Sequence, residues 1–168
     1  MSGVDKWERI WATHRRSYIT DEAGKFDENS CPFCRSQEVS DEEGLIVVRG
    51  QKAFVIMNKY PYSSGHLMVC TNRHVSLYDE LTAQETQEIA DLTQQAMRVV
   101  RATSNCQGFN IGMNQGNVAG AGIAGHLHQH IVPRWFGDSN FMPIVAGTKV
   151  MSELIADTRA LLSAEWNK

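Results

Sequence analysis

Apolar residues along this chain repeat with two different periods. Between Thr82 and Ser104, the residues Ile89, Leu92, Ala96, Met97 and Val100 recur at three- and four-residue steps, the spacing of one helical face. Thr82 followed by Glu85 has the form of a capping box, so a long helix is predicted over 82–104. Ser152 to Trp166 reads as a final amphipathic helix with Leu154, Ile155, Leu161 and Leu162 turned inward, and Asp5 to Ile19 as a short helix with Trp7, Ile10 and Trp11 on one side. Elsewhere the runs are short and rich in β-branched residues. Leu45 to Val48 and Ala53 to Met57 flank a turn at Gly50, and His66 to Cys70, Phe109 to Met113 and His126 to Val132 complete a set of predicted strands. Asp21 to Ser30, the acidic connector Ser40 to Gly44, the turn Tyr60 to Gly65 and the glycine-rich stretch Gln115 to Gly125 lie between them.

Strands joined by tight turns, then a helix, then further strands, predict an α+β domain: an antiparallel sheet with helices packed on one face. At 168 residues the chain reads as a single domain, with an N-terminal extension over 1–30, a core over 31–135 and a C-terminal loop and helix over 136–168. A formal net charge of −3 argues against a nucleic-acid partner, which normally calls for a basic excess. No apolar run is long enough to span a membrane, and the polar stretch Met1 to Thr20 lacks the apolar core of a secretory signal, so the expected location is cytoplasmic. In that setting the four cysteines suggest metal ligands or spare thiols rather than a disulfide framework.

The alternation of the predicted strand at His126 changes the picture. His126, His128 and His130 occupy every second position, so their imidazoles share one face. At about 3.3 Å per residue, the outer two stand about 13 Å apart, too far to share one ion. The row must divide its work. Cys31-x-x-Cys34 has zinc-knuckle spacing but supplies only two ligands, and His74 and His126 are natural candidates for the others; a redox pair or a fortuitous spacing are the alternatives. Cys70 and Cys106 read as small buried residues. With His126 given to metal, His128 is left to act as a nucleophile toward phosphorus, for which a neutral imidazole suits. His130, next along the face, is placed to donate to phosphate oxygens or to a departing group. Gly116 to Gly125 precedes the row directly, and its backbone amides can converge on an anion, though a glycine loop alone more often only connects strands. Together these parts describe nucleotidyl transfer through a phosphohistidine.

His126-Leu127-His128-Gln129-His130-Ile131-Val132 resembles the signature of the histidine-triad superfamily, in which three histidines alternate with apolar residues. Gln129 departs from that pattern on the face turned away from the site. The resemblance runs from about Cys31 to Trp135, with Asn58, the Ser64-Gly65-His66 step and Asn114-x-Gly116 in family order. It implies His128 as the nucleophile, His130 and His66 as phosphate-contacting or network histidines, Asn58 as a ribose contact, and Asn114 or Gln115 opening a phosphate loop that continues through Gly120, Ala121, Gly122 and Ile123. It also implies a structural zinc ion on Cys31, Cys34, His74 and His126, and a homodimer. Many members carry a hydroxyl residue shortly before the triad, where this chain has Gly122-Ile123, so backbone amides would have to substitute. Pro133-Arg134-Trp135-Phe136-Gly137-Asp138-Ser139-Asn140-Phe141 resembles the bacterial histidine-triad diadenosine tetraphosphate phosphorylases, with Trp135 either stacking on adenine or packing in the core.

The expected function is therefore nucleotidyl transfer on dinucleoside polyphosphates, with either inorganic phosphate or water as acceptor and a purine nucleotide as the bound substrate. A nucleoside phosphoramidate hydrolase shares the first step, and a non-catalytic purine-nucleotide-binding module is the reading from a different class. The missing hydroxyl at Ile123 is the only feature favouring the last.

Overall fold

A computed structural model describes residues 29–138 and 153–168. The expected helix over Asp5 to Ile19, most of the loop Asp21 to Ser30, and Ser139-Asn140-Phe141 lie outside these residues. In chain order the elements are helix α1 (Pro32–Gln37), strands β1 (Ile46–Arg49), β2 (Ala53–Met57) and β3 (Leu67–Thr71), helix α2 (Ala83–Ser104), strands β4 (Gly108–Met113) and β5 (His128–Arg134), and helix α3 (Ile155–Trp166). All five strands join one antiparallel sheet in the order β1-β2-β3-β5-β4. This is the α+β architecture expected from the sequence.

Strand alternation sorts side chains onto the two faces. Val55 and Met57 of β2, Leu67 and Val69 of β3 and Ile131 of β5 meet Ile89, Leu92, Ala96 and Val100 of α2 and Leu162 of α3 in the main core. Phe54, Ile56, Met68 and Cys70 point the other way and pack with Cys31 and Phe33 of the α1 segment. Met68 pairs in register with His130, and Cys70 with His128. The triad therefore shares the face of the sheet opposite the two long helices. Gln129 projects among the helices, where its amide donates to Thr93 Oγ1 at 2.6 Å.

The long helix begins as predicted. Thr82 caps it, with its hydroxyl accepting from the Glu85 N–H and the Glu85 carboxylate accepting from the Thr82 N–H. Asn105, at φ 50°, ends it in the left-handed region that asparagine tolerates. At the start of α3 and within it, two residues expected to face inward are instead exposed. Leu154 is 73% exposed and Leu161 48% exposed, because the buried stripe runs through Thr158, Arg159 and Leu162. Arg159 is buried with its guanidinium donating to the Ile46 carbonyl and to Glu42. No helix among the described residues is long and apolar enough to cross a membrane.

Candidate active site and metal cluster

The histidine segment enters the sheet two residues later than the alternation predicts. The Leu127 N–H donates to the Val75 carbonyl at 2.7 Å, away from the ladder, and β5 starts at His128. His126 thus sits just outside the strand, fully buried, where its ring reaches a different set of partners. Its Nε2 lies 2.8 Å from the Thr71 carbonyl. A carbonyl only accepts, so Nε2 carries the proton and Nδ1 presents a lone pair. That lone pair faces two thiols: Nδ1 is 3.4 Å from Cys31 Sγ and 3.5 Å from Cys34 Sγ. Cys34 Sγ is in turn 3.3 Å from Nδ1 of His74.

The four candidate ligand atoms of Cys31, Cys34, His74 and His126 all lie within 4.8 Å of one another. Sulfur and nitrogen ligands at about 2.3 and 2.0 Å from a tetrahedral ion stand about 3.6 Å apart, close to the spacing seen here. The donor set and its spacing fit a metal ion of that kind. Burial, opposed by the Thr71 hydrogen bond and reinforced by nearby His74 and His128, lowers the pKa of His126 to about 4 and keeps it in the neutral, ligating form. Cys70 and Cys106 stay outside the cluster, and burial raises the pKa of both thiols, as suits inert core residues.

His128 is buried, at 5% exposure, and its Nδ1 lies 2.8 Å from the His126 carbonyl. By the same reasoning Nδ1 is protonated and Nε2 bears the lone pair. Burial lowers its pKa, so the ring is neutral near pH 7. The adjacent pair is ordered from the backbone as well. The Tyr62 N–H donates to Nδ1 of His66 at 3.0 Å, which places the His66 proton on Nε2. Nε2 of His66 lies 3.0 Å from Nδ1 of His130 and donates to it, so the proton of His130 sits on Nε2. The rings of His128 and His130 meet edge-on with centroids 5.0 Å apart. One imidazole thus has its outer nitrogen set as a base and its neighbour has its outer nitrogen set as a donor.

The remaining sequence candidates are spread around this centre. Asn58 is buried beside His66, with Oδ1 accepting from the Tyr60 N–H at 2.9 Å. Asn114 is half-buried just after β4, and the Gln115 side-chain oxygen Oε1 accepts from the Tyr78 N–H at 2.8 Å. Gly116 and Gly120 adopt positive φ, at 75° and 81°, and frame a short turn over Asn117–Ala119. Ala121 is buried, Gly122 is half-buried, and Ile123 packs against the apolar cluster around Cys31 and Phe33. Trp135 is not brought to the triad of its own chain. It packs against the main core, and its indole N–H donates to the Ser104 carbonyl at 3.1 Å, on the helix side of the sheet.

A family model of the HIT (histidine-triad) domain matches residues 40–137. The chain belongs to the HIT family. It is 45% identical over 167 residues to a Mycobacterium tuberculosis protein named AP-4-A phosphorylase, covering 96% of this chain and 86% of that one. A shorter match, 32% identical over 82 residues, is to the bis(5'-adenosyl)-triphosphatase of Dictyostelium discoideum, covering 49% of this chain and 54% of the other. Among solved structures, a zinc-bound histidine-triad family protein from Mycobacterium smegmatis superposes with a TM-score of 0.66 at 22% identity, covering 84% of this chain and 96% of that one. The HIT match includes His66, His74 and the triad but begins after Cys31 and Cys34.

Sequence reasoning missed three contributors to this HIT site. The Thr71 carbonyl and the Tyr62 N–H are backbone groups, invisible to any pattern of residue types. Phe33 did have a signal, its place between the two cysteines. Its ring centroid stands 5.4 Å from that of His126 and 5.0 Å from that of His128.

Proposed function

We propose that this protein is a phosphorylase of dinucleoside polyphosphates that cleaves diadenosine tetraphosphate through an adenylyl group carried on His128. The observation that carries this reading is the 2.8 Å contact between His128 Nδ1 and the His126 carbonyl, which leaves Nε2 unprotonated, the form a nucleophilic imidazole needs. The similarity to a named AP-4-A phosphorylase over 96% of the chain supports the choice of substrate.

In the first step His128 Nε2 attacks the α-phosphorus of one adenosine. The bond from that phosphorus to the bridging oxygen breaks, and ATP departs with the electron pair, its released oxygen accepting a hydrogen bond from the Nε2–H of His130. In the second step an oxygen of inorganic phosphate attacks the adenylyl phosphorus, the P–N bond breaks, and ADP leaves while His128 regains its lone pair. Water in place of phosphate gives AMP. The loop from Gly116 to Ile123 carries no side-chain hydroxyl, and the amides of Ala119, Gly120 and Ala121 bond within it, so its other amides stabilise the charge on the non-bridging oxygens, with Asn114 and Gln115 at the loop entrance and Asn58 on the ribose.

Zinc is the ion proposed for Cys31, Cys34, His74 and His126, a set of soft and imidazole donors that suits it. When bound it supplies a structural clamp and no open position for substrate. A homodimer is proposed through β4, which lies at the sheet edge with Ile111 45% exposed, and which a second copy can extend.

Incubation with diadenosine tetraphosphate, with and without phosphate, tests the reaction. Phosphate-dependent ATP and ADP are expected. Phosphate-independent ATP and AMP indicate a hydrolase, and release of AMP from an adenosine phosphoramidate with no attack on the dinucleotide would overturn the assignment.

A further inference from the structure

The cysteine pair brackets a residue that bears on the triad. The chain between Cys31 and Cys34 carries Phe33, which is 4% exposed and packs on both His126 and His128. Its ring meets that of His126 edge-on, with an interplanar angle of 75°, and lies tilted at 49° against that of His128. The nucleophile is therefore held at two places. The His126 carbonyl fixes its Nδ1, and Phe33 bears on its ring. Both supports are anchored in the candidate metal site: His126 is one candidate ligand, clamped through Nε2 by Thr71, and Phe33 is flanked by two others.

We propose that Phe33 is a positioning residue that couples the metal cluster to the orientation of His128. The proposal rests on His128 being the nucleophile. An ion drawing Cys31, Cys34 and His126 together fixes the backbone on either side of Phe33 and the carbonyl that holds His128. With the ion gone, nothing draws the thiols and imidazoles to one centre, and the two supports of His128 loosen. Removing the aromatic ring while keeping the ion releases only one of the two supports. Neighbours that orient a working group typically matter by about 10- to 100-fold.

The test uses Phe33→Leu in the full chain. Zinc content, kcat and KM for diadenosine tetraphosphate, and the Nδ1–H resonance of His128 in nitrogen-15 histidine-labelled protein are measured together. That resonance is identified by its disappearance in His128→Ala. The expected result is one zinc per chain, KM within about twofold of the parent, kcat lower by on the order of tenfold, and a broadened His128 Nδ1–H signal. Chelation of the parent protein gives a second reading without any substitution and should broaden the same signal. Unchanged kcat and an unchanged resonance in Phe33→Leu overturn the proposal. So does loss of zinc in parallel with kcat, which would make Phe33 a support of the metal alone. Failure of the parent protein to consume the dinucleotide would count against the phosphorylase reading, while the resonance would still decide the positioning of His128.

Discussion

Nε2 of His66 lies 3.0 Å from Nδ1 of His130, while the Tyr62 N–H occupies the other nitrogen of His66. A backbone amide thereby dictates, through two imidazoles, which nitrogen of His130 offers a proton. His66→Gln removes the ring that carries this information. Turnover is expected to fall by about 10- to 100-fold with a smaller change in KM, measured by steady-state kinetics on diadenosine tetraphosphate. Turnover equal to the parent would show that His130 needs no such partner.

The candidate metal site on Cys31, Cys34, His74 and His126 carries a stoichiometric prediction. Purified protein should retain one zinc per chain after dialysis, and Cys34→Ser should lose it, because Cys34 Sγ stands within 3.5 Å of both imidazoles of the set. A lower melting temperature should accompany the loss, since binding energy at a structural site is folding energy. Metal analysis of both proteins checks this, and a zinc-free parent would contradict it.

Arg73 pairs with Glu85 across the start of α2, with guanidinium nitrogens 3.0 Å from both carboxylate oxygens. The hydrogen bond from Arg73, with those from Thr82, lowers the pKa of Glu85 from 4.5 to about 2 although burial opposes the shift. The folded-state pKa is depressed, so the stabilisation is fully present above pH 4.5 and is lost as pH falls toward 2. Glu85→Gln should destabilise the protein at pH 7 by about 1–3 kcal/mol and flatten its acid melting profile over that window. Thermal melts of both proteins from pH 7 down to 2 provide the measurement; parallel profiles would show that the pair contributes nothing.

Much of this was legible in the sequence because residue type and period carry it. Ile89, Leu92, Ala96 and Val100 mark the buried face of α2, the alternation of His126, His128 and His130 marks a strand, and the four metal candidates do converge. What escaped depends on tertiary contact. The Val75 carbonyl captures the Leu127 N–H and ends the ladder before His126. Leu154 and Leu161 were expected inside, but Thr158 and Arg159 occupy the stripe that meets the sheet, because hydrogen bonds to Leu154, Glu153, Ile46 and Glu42 satisfy their polar groups. Trp135 offered two readings from sequence, and only the packing around Ser104 places it on the helix face.

Gly116 sets the conformation of the loop that leads to the triad. Its φ of 75° and ψ of 162° belong to a region open almost only to glycine, while a Cβ there would meet nothing within 4 Å. Gly116→Ala therefore acts through backbone strain of about 1–3 kcal/mol rather than through a clash. KM for the dinucleotide should rise several-fold while zinc content stays unchanged, as steady-state kinetics and metal analysis would report. An unchanged KM would mean that the loop does not hold the phosphates.

Covalent catalysis by His128 is the central claim, and trapping the intermediate tests it most directly. Protein mixed with diadenosine tetraphosphate in the absence of phosphate, quenched at alkaline pH where phosphohistidine survives, is analysed by intact and peptide mass spectrometry. One adenylyl group on the peptide containing His128, localised to that residue, discharged as ADP on adding phosphate and absent from His128→Ala, is the expected result. Continued formation of ATP and ADP by His128→Ala, or an adenylyl group found on His130 instead, would contradict it.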